Sequence, residues 1–378
     1  MMYAKLTCKY TNLILTSRQK LKSKIERLFF ALLRDALWHG EEDLPKELSS
    51  ETVAVLFSIA EKQTVSGMLV DALTRNNIKM HVDWVLDALG LLEQIKKQSI
   101  AVNKGVRDLH LLLSASGVNY IVVKGQAVAS YYPNPLLRQS GDIDYYCSKE
   151  YFPQSQEVIS RAWMVNTDPE NNVKHCRFDY NDVVYEGHFQ LLELYDKKSR
   201  TYWQRLLDRD EGGLVMIDGV AIKTLSPTLH VLYIFLHLYN HLINLGVGLR
   251  QFCDMAVMMR YAKGQIDMDA LRDHLHALGM EKAYRACCCI LVDYLGLSEE
   301  ELGYVFSGTD HRYGEKILDV VLFRGNMGHY EGKTKRYEKR WKWKMKAVGI
   351  KFSHFMKFLP LAPSYTCGWL WHEVRRNI

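Results

Sequence analysis

Two aspartates, Asp142 and Asp144, stand on alternate residues in GDIDYY, and a Lys124-Gly125 pair closes an apolar run 17 residues upstream. Successive strand residues point to opposite faces, so on a strand both carboxylates face the same way, their Cβ atoms roughly 6–7 Å apart. Two anions that close repel unless a cation lies between them. A divalent metal suits, because Mg²⁺ takes hard oxygen ligands and binds through one or two carboxylates plus substrate phosphates. A phosphoryl site with two such ions needs a third carboxylate from another strand. The run VVYEGHFQL offers one: Glu186, His188 and Gln190 share one strand face, Tyr185, Phe189 and Leu191 the other. Glu186 is the candidate ligand, with His188 beside it. A strand running into Gly125 at a helix start exposes backbone N–H groups and the positive end of the helix dipole, which suits a phosphate, and Lys124 adds a full charge. D-x-D by itself also occurs on solvated strand edges and caps. The strand-Gly-helix before it and the acidic strand after it are what favour a metal.

The elements that must position these groups are legible as changes of period. Residues 19–116 repeat apolar positions at helical spacing, as in Ile25, Leu28, Phe29, Leu32, Leu33 and Ala36, stopping at Gly40. Asn119–Lys124 is then a short β-branched strand, GQAVASYY a helix broken by PNP, Asp142–Cys147 a strand and Glu150–Ala162 a helix. VKHCRFDY and VVYEGHFQLLE form a hairpin about Asn181 and Asp182. The order strand, helix, strand, helix, strand, strand is a small mixed α/β unit. Helices resume at Ser226, an N-cap with Pro227 at the first helical position, and continue to about residue 322.

His230, His237 and His241 fall at spacings of seven and four on one helical face. Three readings stand for them: hydrogen-bonded core histidines, a cleft-facing His237 or His241 that helps bind nucleotide or acceptor, and a metal site that lacks an identifiable third ligand. Arg250 and Asp254, four apart, suit a helical ion pair. The triplet Cys287–Cys289 cannot aim three thiolates at one metal, since neighbours on a helix point about 100° apart, so it reads as core.

The composition, 48% hydrophobic and 24% charged, is that of an ordinary globular chain. Its 378 residues suit two or three domains. Eight cysteines without C-x-x-C pairs suit a reducing cytoplasm. The N-terminus has no signal-peptide core. The longest apolar run, from Thr228, is interrupted by His230, His237, Asn240, His241 and Asn244, so no transmembrane segment is expected. Between Glu331 and Lys351, nine Lys or Arg stand against two Glu, which concentrates the chain's net +6 in that stretch. There Trp341, Met345, Val348, Phe352, Phe355 and Leu359 share a helical face that ends at Pro360. Such a basic aromatic helix docks on its own protein, or contacts a membrane surface or nucleic acid through residues 333–351. Trp369 and Trp371 belong to a final helix that packs back.

The block KGQAVASYYPNPLLRQSGDIDYY, followed by YEGHFQL and LHLYNHLINLGVGLRQFCDMAVMM, resembles the uncharacterised bacterial nucleotidyltransferase family of the polymerase-β-type superfamily. In that family K-G, Y-P-x-P-x-x-R, G-D-h-D (h apolar) and E-x-H recur in this order. The resemblance covers most of the chain. It implies an α+β fold: a minimal nucleotidyltransferase mixed-sheet core (106–222) between an N-terminal (1–105) and a C-terminal (223–330) helical domain, then a basic tail (331–378). It implies Asp142, Asp144 and Glu186 as the triad for two Mg²⁺ or Mn²⁺ ions, with an NTP as co-substrate. Lys124 and Gly125 would hold the triphosphate, and Arg138 would either contact it or lock its own loop. The superfamily's usual Gly-Ser after the first strand is here Lys124-Gly125. The reaction implied moves an NMP from the NTP to an acceptor hydroxyl or phosphate on a protein, sugar, nucleic acid or metabolite. The alternatives are a catalytically silent nucleotide-binding or interaction module of the same fold and a D-x-D glycosyltransferase, although the latter needs a longer nucleotide-binding half before its D-x-D.

Overall fold

A computed structural model describes residues 20–40, 42–167, 175–244, 246–326 and 355–377. The basic stretch 331–351, and Trp341, Met345, Val348 and Phe352 of its aromatic stripe, lie outside the described residues. The chain forms two compact units. The first comprises the described residues up to Phe189 with Val215–Lys223 and Tyr294–Gly296; the second comprises Gln190–Leu214, Thr224–Asp293 and the described residues from Leu297 onward.

In the first unit, helices α1 (Lys20–Trp38), α2 (Ser50–Gln63), α3 (Ser66–Arg75) and α4 (Val82–Ala115) precede the sheet. Of the repeated apolar positions of α1, Phe29, Leu32, Leu33 and Ala36 are buried and Ile25 and Leu28 partly so. Ser49 caps α2 by accepting a hydrogen bond from the Thr52 N–H, and Thr64 ends it in the left-handed conformation. The 34 residues of α4 span about 50 Å. The expected boundaries after residues 105 and 222 fall inside α4 and inside a later strand, so one helix carries the leading helical layer into the core.

The sheet is built from β1 (Ile121–Val123), β2 (Asp142–Tyr146), β3 (His175–Tyr180) and β4 (Val183–His188) in the order β1-β2-β4-β3. The five-residue α5 (Gly125–Ala129) lies between β1 and β2, and α6 (Phe152–Trp163) between β2 and β3. β2 and β4 are parallel; the other two pairings are antiparallel. Asn181 and Asp182 connect β3 to β4 with φ of 50° and 60°, the two positive values that a tight hairpin following the strand twist requires.

Strand alternation sorts the sheet into two faces. Val122, Ile143, Tyr145, Phe178 and Tyr185 turn into a core shared with Val102, Val106, Leu109 and Leu113 of α4. Each fully buried aromatic contributes about 1.5–3 kcal/mol of burial. The opposite face carries Asp142, Asp144, Glu186 and His188. Tyr145 lies opposite Gly187 in the register, and a Cβ at 187 would fall 2.3 Å from the Tyr145 hydroxyl. The glycine in E-G-H is therefore a packing requirement of the core face, set between the two polar residues of the other face. A ribbon of β5 (Gly213–Ile217) and β6 (Val220–Thr224) adds Val215, Ile217 and Ile222 to the same core.

The second unit holds α7 (Lys197–Arg209), α8 (Pro227–Asn244), α9 (Leu249–Tyr261), α10 (Met268–Ala277), α11 (Glu281–Asp293), α12 (Glu299–Leu302), α13 (Gly308–Arg324) and α14 (Pro363–Asn377). α8 is buried on nearly every side, as its almost continuous apolar run demands. The asparagines that interrupt it anchor the C-terminal helix. The Trp369 indole N–H donates to Asn244 Oδ1 at 2.5 Å and the Tyr365 hydroxyl to Asn240 Oδ1 at 3.1 Å. Trp369 is buried, whereas Trp371 is exposed with Arg375 stacked 4.8 Å over its ring. Cys287, Cys288 and Cys289 are core residues. Of the aromatic stripe, Phe355 and Leu359 are half-buried, and it is Phe358 that points inward. No helix among the described residues is long and apolar enough to cross a membrane.

Candidate active site

Parallel pairing of β2 with β4 aligns Asp144 with Glu186 and Asp142 with Val184, so Asp142, Asp144, Glu186 and His188 line the face of the sheet away from the core. Asp144 is 4% exposed. Its Oδ1 accepts from Lys124 Nζ at 2.9 Å and meets His188 Nε2 at 2.8 Å. Burial alone would raise its pKa; Lys124 and His188 outweigh that and hold the carboxyl well below the usual carboxylate range. The adjacent Glu186 behaves oppositely. Burial, then the charges of Asp144 and Asp142, push its carboxyl up, with His188 and Lys124 opposing. Arg177 Nη1 stands 3.4 Å from Glu186 Oε1, and His188 Nε2 3.9 Å from Oε2.

Donor atoms of Asp144, Glu186 and His188 all lie within 4.8 Å of one another, the one such group of three among the described residues. Oxygens bound to a single Mg²⁺ at about 2.1 Å are at most about 4.2 Å apart, so closure by a few tenths of an ångström suffices. The two carboxylates fit Mg²⁺ or Mn²⁺, whereas an imidazole is a donor more typical of later transition ions; the fit to a hard ion rests on Asp144 and Glu186. Asp142 is half-buried beside them and close enough to act on Glu186. The trio differs from the expected one in containing His188 where Asp142 was assigned.

Lys124 and Gly125 form the bend between β1 and α5, with φ of 55° and 38°. A lysine with φ 55° and ψ −144° sits in a region that glycine adopts freely and other residues at a cost of about 1–3 kcal/mol. That bend accompanies the contact of its ammonium with Asp144. The helix that starts at Gly125 has only five residues, so it sums few peptide dipoles and the positive end expected there is weak.

Arg138 is buried, 4% exposed, and starts a hydrogen-bond relay. It donates to Ser140 Oγ at 2.9 Å, Ser140 donates to Gln126 Oε1 at 2.5 Å, Gln126 to Asn103 Oδ1, and Asn103 to Asp218 Oδ1 at 2.9 Å. Each member both donates and accepts between a cation and a carboxylate, so the loop before β2 is tied to α4 and to the β5–β6 turn. Gly67 of α3 allows the same loop a close approach: a Cβ there would lie 2.3 Å from the Leu137 carbonyl oxygen. The hydrogen bond to Ser140 ties Arg138 to its own loop. His237 and His241 belong to the second unit, their Nε2 atoms 3.1 Å apart.

Two groups had gone unassigned. Arg177 was legible, because a two-residue turn at Asn181-Asp182 puts residue 177 opposite 186. The Gln126–Asn103–Asp218 part of the relay had no local signal, since Asn103 and Asp218 are 115 residues apart.

Residues 49–296 match the profile of a family described as uncharacterised nucleotidyltransferase. The chain matches no curated protein. Among solved structures, it is similar to an antigenic nucleotidyltransferase-like protein from Paracoccidioides brasiliensis, at 14% identity and a TM-score of 0.35 over 54% of this chain and 97% of that one. The family match spans α2 to the end of α11, including the sheet, the carboxylate face and the Lys124 bend, and the chain belongs to the uncharacterised nucleotidyltransferase family.

Proposed function

We propose that this chain moves a nucleoside monophosphate from an NTP to an acceptor hydroxyl or phosphate, with Asp142, Asp144, Glu186 and His188 supplying the ligands for Mg²⁺ or Mn²⁺. The observation that carries this reading is the convergence of Asp144, Glu186 and His188 within 4.8 Å on one sheet face. When bound, the metal would neutralise phosphate charge and anchor the reacting oxygens. In the transfer, an acceptor oxygen bonds to the α-phosphorus, the bond from that phosphorus to the β-phosphate's bridging oxygen breaks, and pyrophosphate leaves. The chain's own part is positioning and charge placement, the main sources of phosphoryl-transfer catalysis. Asp144, kept ionised by Lys124 and His188, is a fixed anion. Glu186, aligned with Asp144 on the neighbouring strand, is the carboxylate that would take the acceptor's proton. Lys124 would reach the triphosphate, and the Arg138 relay would hold the loop before Asp142. Residues 106–222 would be the catalytic core, and the basic stretch 333–351 a contact for the chain itself, a membrane surface or nucleic acid.

The test is incubation with each α-labelled NTP, Mn²⁺ or Mg²⁺ and cell extract, reading label transfer and pyrophosphate release. Asp144→Asn and Glu186→Gln should each lower transfer at least about 100-fold; transfer that survives both changes refutes the assignment. One observation favours a second reading, a nucleotide-binding module without turnover: Lys124 and His188 already compensate Asp144. NTP binding without pyrophosphate release would select it.

A further inference from the structure

We infer that Lys124 is a built-in competitor of the metal, its ammonium and the divalent cation sharing Asp144, and that a nucleotide's phosphates couple the two by drawing the ammonium away. This rests on the reading that Asp144, Glu186 and His188 hold a divalent cation for an NTP. Lys124 Nζ lies 2.9 Å from Asp144 Oδ1, the oxygen that also meets His188 Nε2 at 2.8 Å. An ion bound to that oxygen at about 2.1 Å would stand near the ammonium, and two like charges so placed repel. Water screens the conflict little, since the two side chains are only 18% and 5% exposed.

The ammonium also has somewhere to go. A lysine carries a compact charge on a flexible four-carbon stem, and charge-assisted hydrogen bonds to phosphate oxygens are strong replacements for one to a carboxylate. The position of Lys124 is specified by the backbone: it is the first of two successive positive-φ residues, and the bend is retained although its first residue is not glycine. A residue needed only to turn the chain would be glycine here. Reciprocity then follows: whatever factor the nucleotide adds to metal affinity, the metal adds to nucleotide affinity.

Calorimetric titration of Mn²⁺ into the full chain tests this, with and without an α,β-methylene NTP analogue. Lys124→Met and Lys124→Gly, the latter matched to the backbone, should each bind Mn²⁺ at least tenfold more tightly than wild type without nucleotide. Lys124→Arg, which keeps the charge, should stay within about threefold of wild type. The analogue should tighten Mn²⁺ by a larger factor on wild type than on either neutral variant. Near-UV circular dichroism establishes which variants are folded, and the Gly variant carries the test should the Met variant not fold. Mn²⁺ affinity equal to or below wild type in the neutral variants overturns the inference. Glu186→Gln separates the two levels of argument. If it leaves Mn²⁺ affinity unchanged, the metal-site reading itself fails; if it weakens Mn²⁺ while loss of the Lys124 charge does not tighten it, only the competition fails.

Discussion

Gly187→Ala is the smallest change that should carry a core fault into the candidate site. The new methyl carbon would lie 2.3 Å from the Tyr145 hydroxyl oxygen, 2.4 Å from its Cζ and 2.9 Å from Cys176 Sγ. Ordinary carbon contacts begin near 3.5 Å, so the ring must withdraw by about 1 Å. It has no room: Tyr145 is fully buried, Cys176 is fully buried, and Phe178 and Tyr185 stack nearby at 5.0 Å between centroids. Overpacking of a tight core costs about 1–3 kcal/mol and sometimes more. Two simultaneous clashes with a rigid ring place this variant at the upper end, about 3 kcal/mol. In a unit of this size, that lowers the unfolding midpoint by about 6–12 °C.

The functional consequence follows from chain continuity. Tyr145 is bonded to Asp144, and residue 187 lies between Glu186 and His188, so moving either strand shifts the proposed metal ligands by comparable distances. Mn²⁺ affinity should fall about tenfold although no ligand is changed. Thermal unfolding followed by near-UV circular dichroism reads the first effect and calorimetry the second. Trimming the obstacle supplies the control: Tyr145→Leu combined with Gly187→Ala should be more stable than the sum of the two single changes predicts, since neighbours in contact are non-additive. Wild-type stability in Gly187→Ala, or strict additivity in the pair, would refute the packing argument.

Three further outcomes are expected. His230 is fully buried, and desolvation lowers its pKa to about 4, partly opposed by Asp254. Because the unfolded chain binds that proton near pH 6.5, the stability is present above pH 6.5 and lost as pH falls toward 4; urea titrations should show about 2 kcal/mol lost between pH 7.5 and 5, and a His230→Phe variant should lose less. Among the described cysteines, Cys367 is exposed and the other six are buried, and burial raises the thiol pKa of Cys147 and Cys289 to about 12; peptide mapping after maleimide treatment of native protein should find Cys367 labelled and those six unlabelled. Asn244→Leu leaves the buried Trp369 N–H without its acceptor at a cost of about 1–3 kcal/mol, and amide exchange across 363–375 should accelerate accordingly, an outcome that unchanged exchange would contradict.

What could be read from the sequence was whatever depends on parity or period. The common face of Asp142 and Asp144, the place of Glu186 on that face and the tight turn at Asn181-Asp182 all follow from alternation along a strand, a property of the backbone that tertiary structure does not alter. Helical stripes were equally plain, and Asn240 and Asn244 were visible as interruptions although their partners on α14 were not. Those partners come from residues more than 120 positions away, and nothing local encodes such a pairing. The same limit hid the Asn103–Asp218 end of the relay. The length of α5 was overestimated for another reason: GQAVASYY has helical propensity, but Pro133 and Pro135 force the chain to turn before the pattern can be used.

Lys124 marks the boundary between these two kinds of information. Its charge next to a glycine at the end of a strand suggested a phosphate contact. The actual φ of 55° reverses the course of the chain at that residue and accompanies an ammonium set against Asp144. Sequence periodicity describes residues in regular conformations, and a positive φ at a non-glycine residue is an exception that it cannot anticipate. Such exceptions persist only where surrounding contacts compensate for them. Here the compensating contact is an ion pair at the centre of the carboxylate cluster, so the local strain and the proposed chemistry share one residue. Replacing Lys124 by glycine relaxes the bend but also removes a buried ion pair, so metal affinity is the discriminating readout: it should rise in this variant, whereas a residue of purely structural importance would lose stability and leave metal affinity where it was.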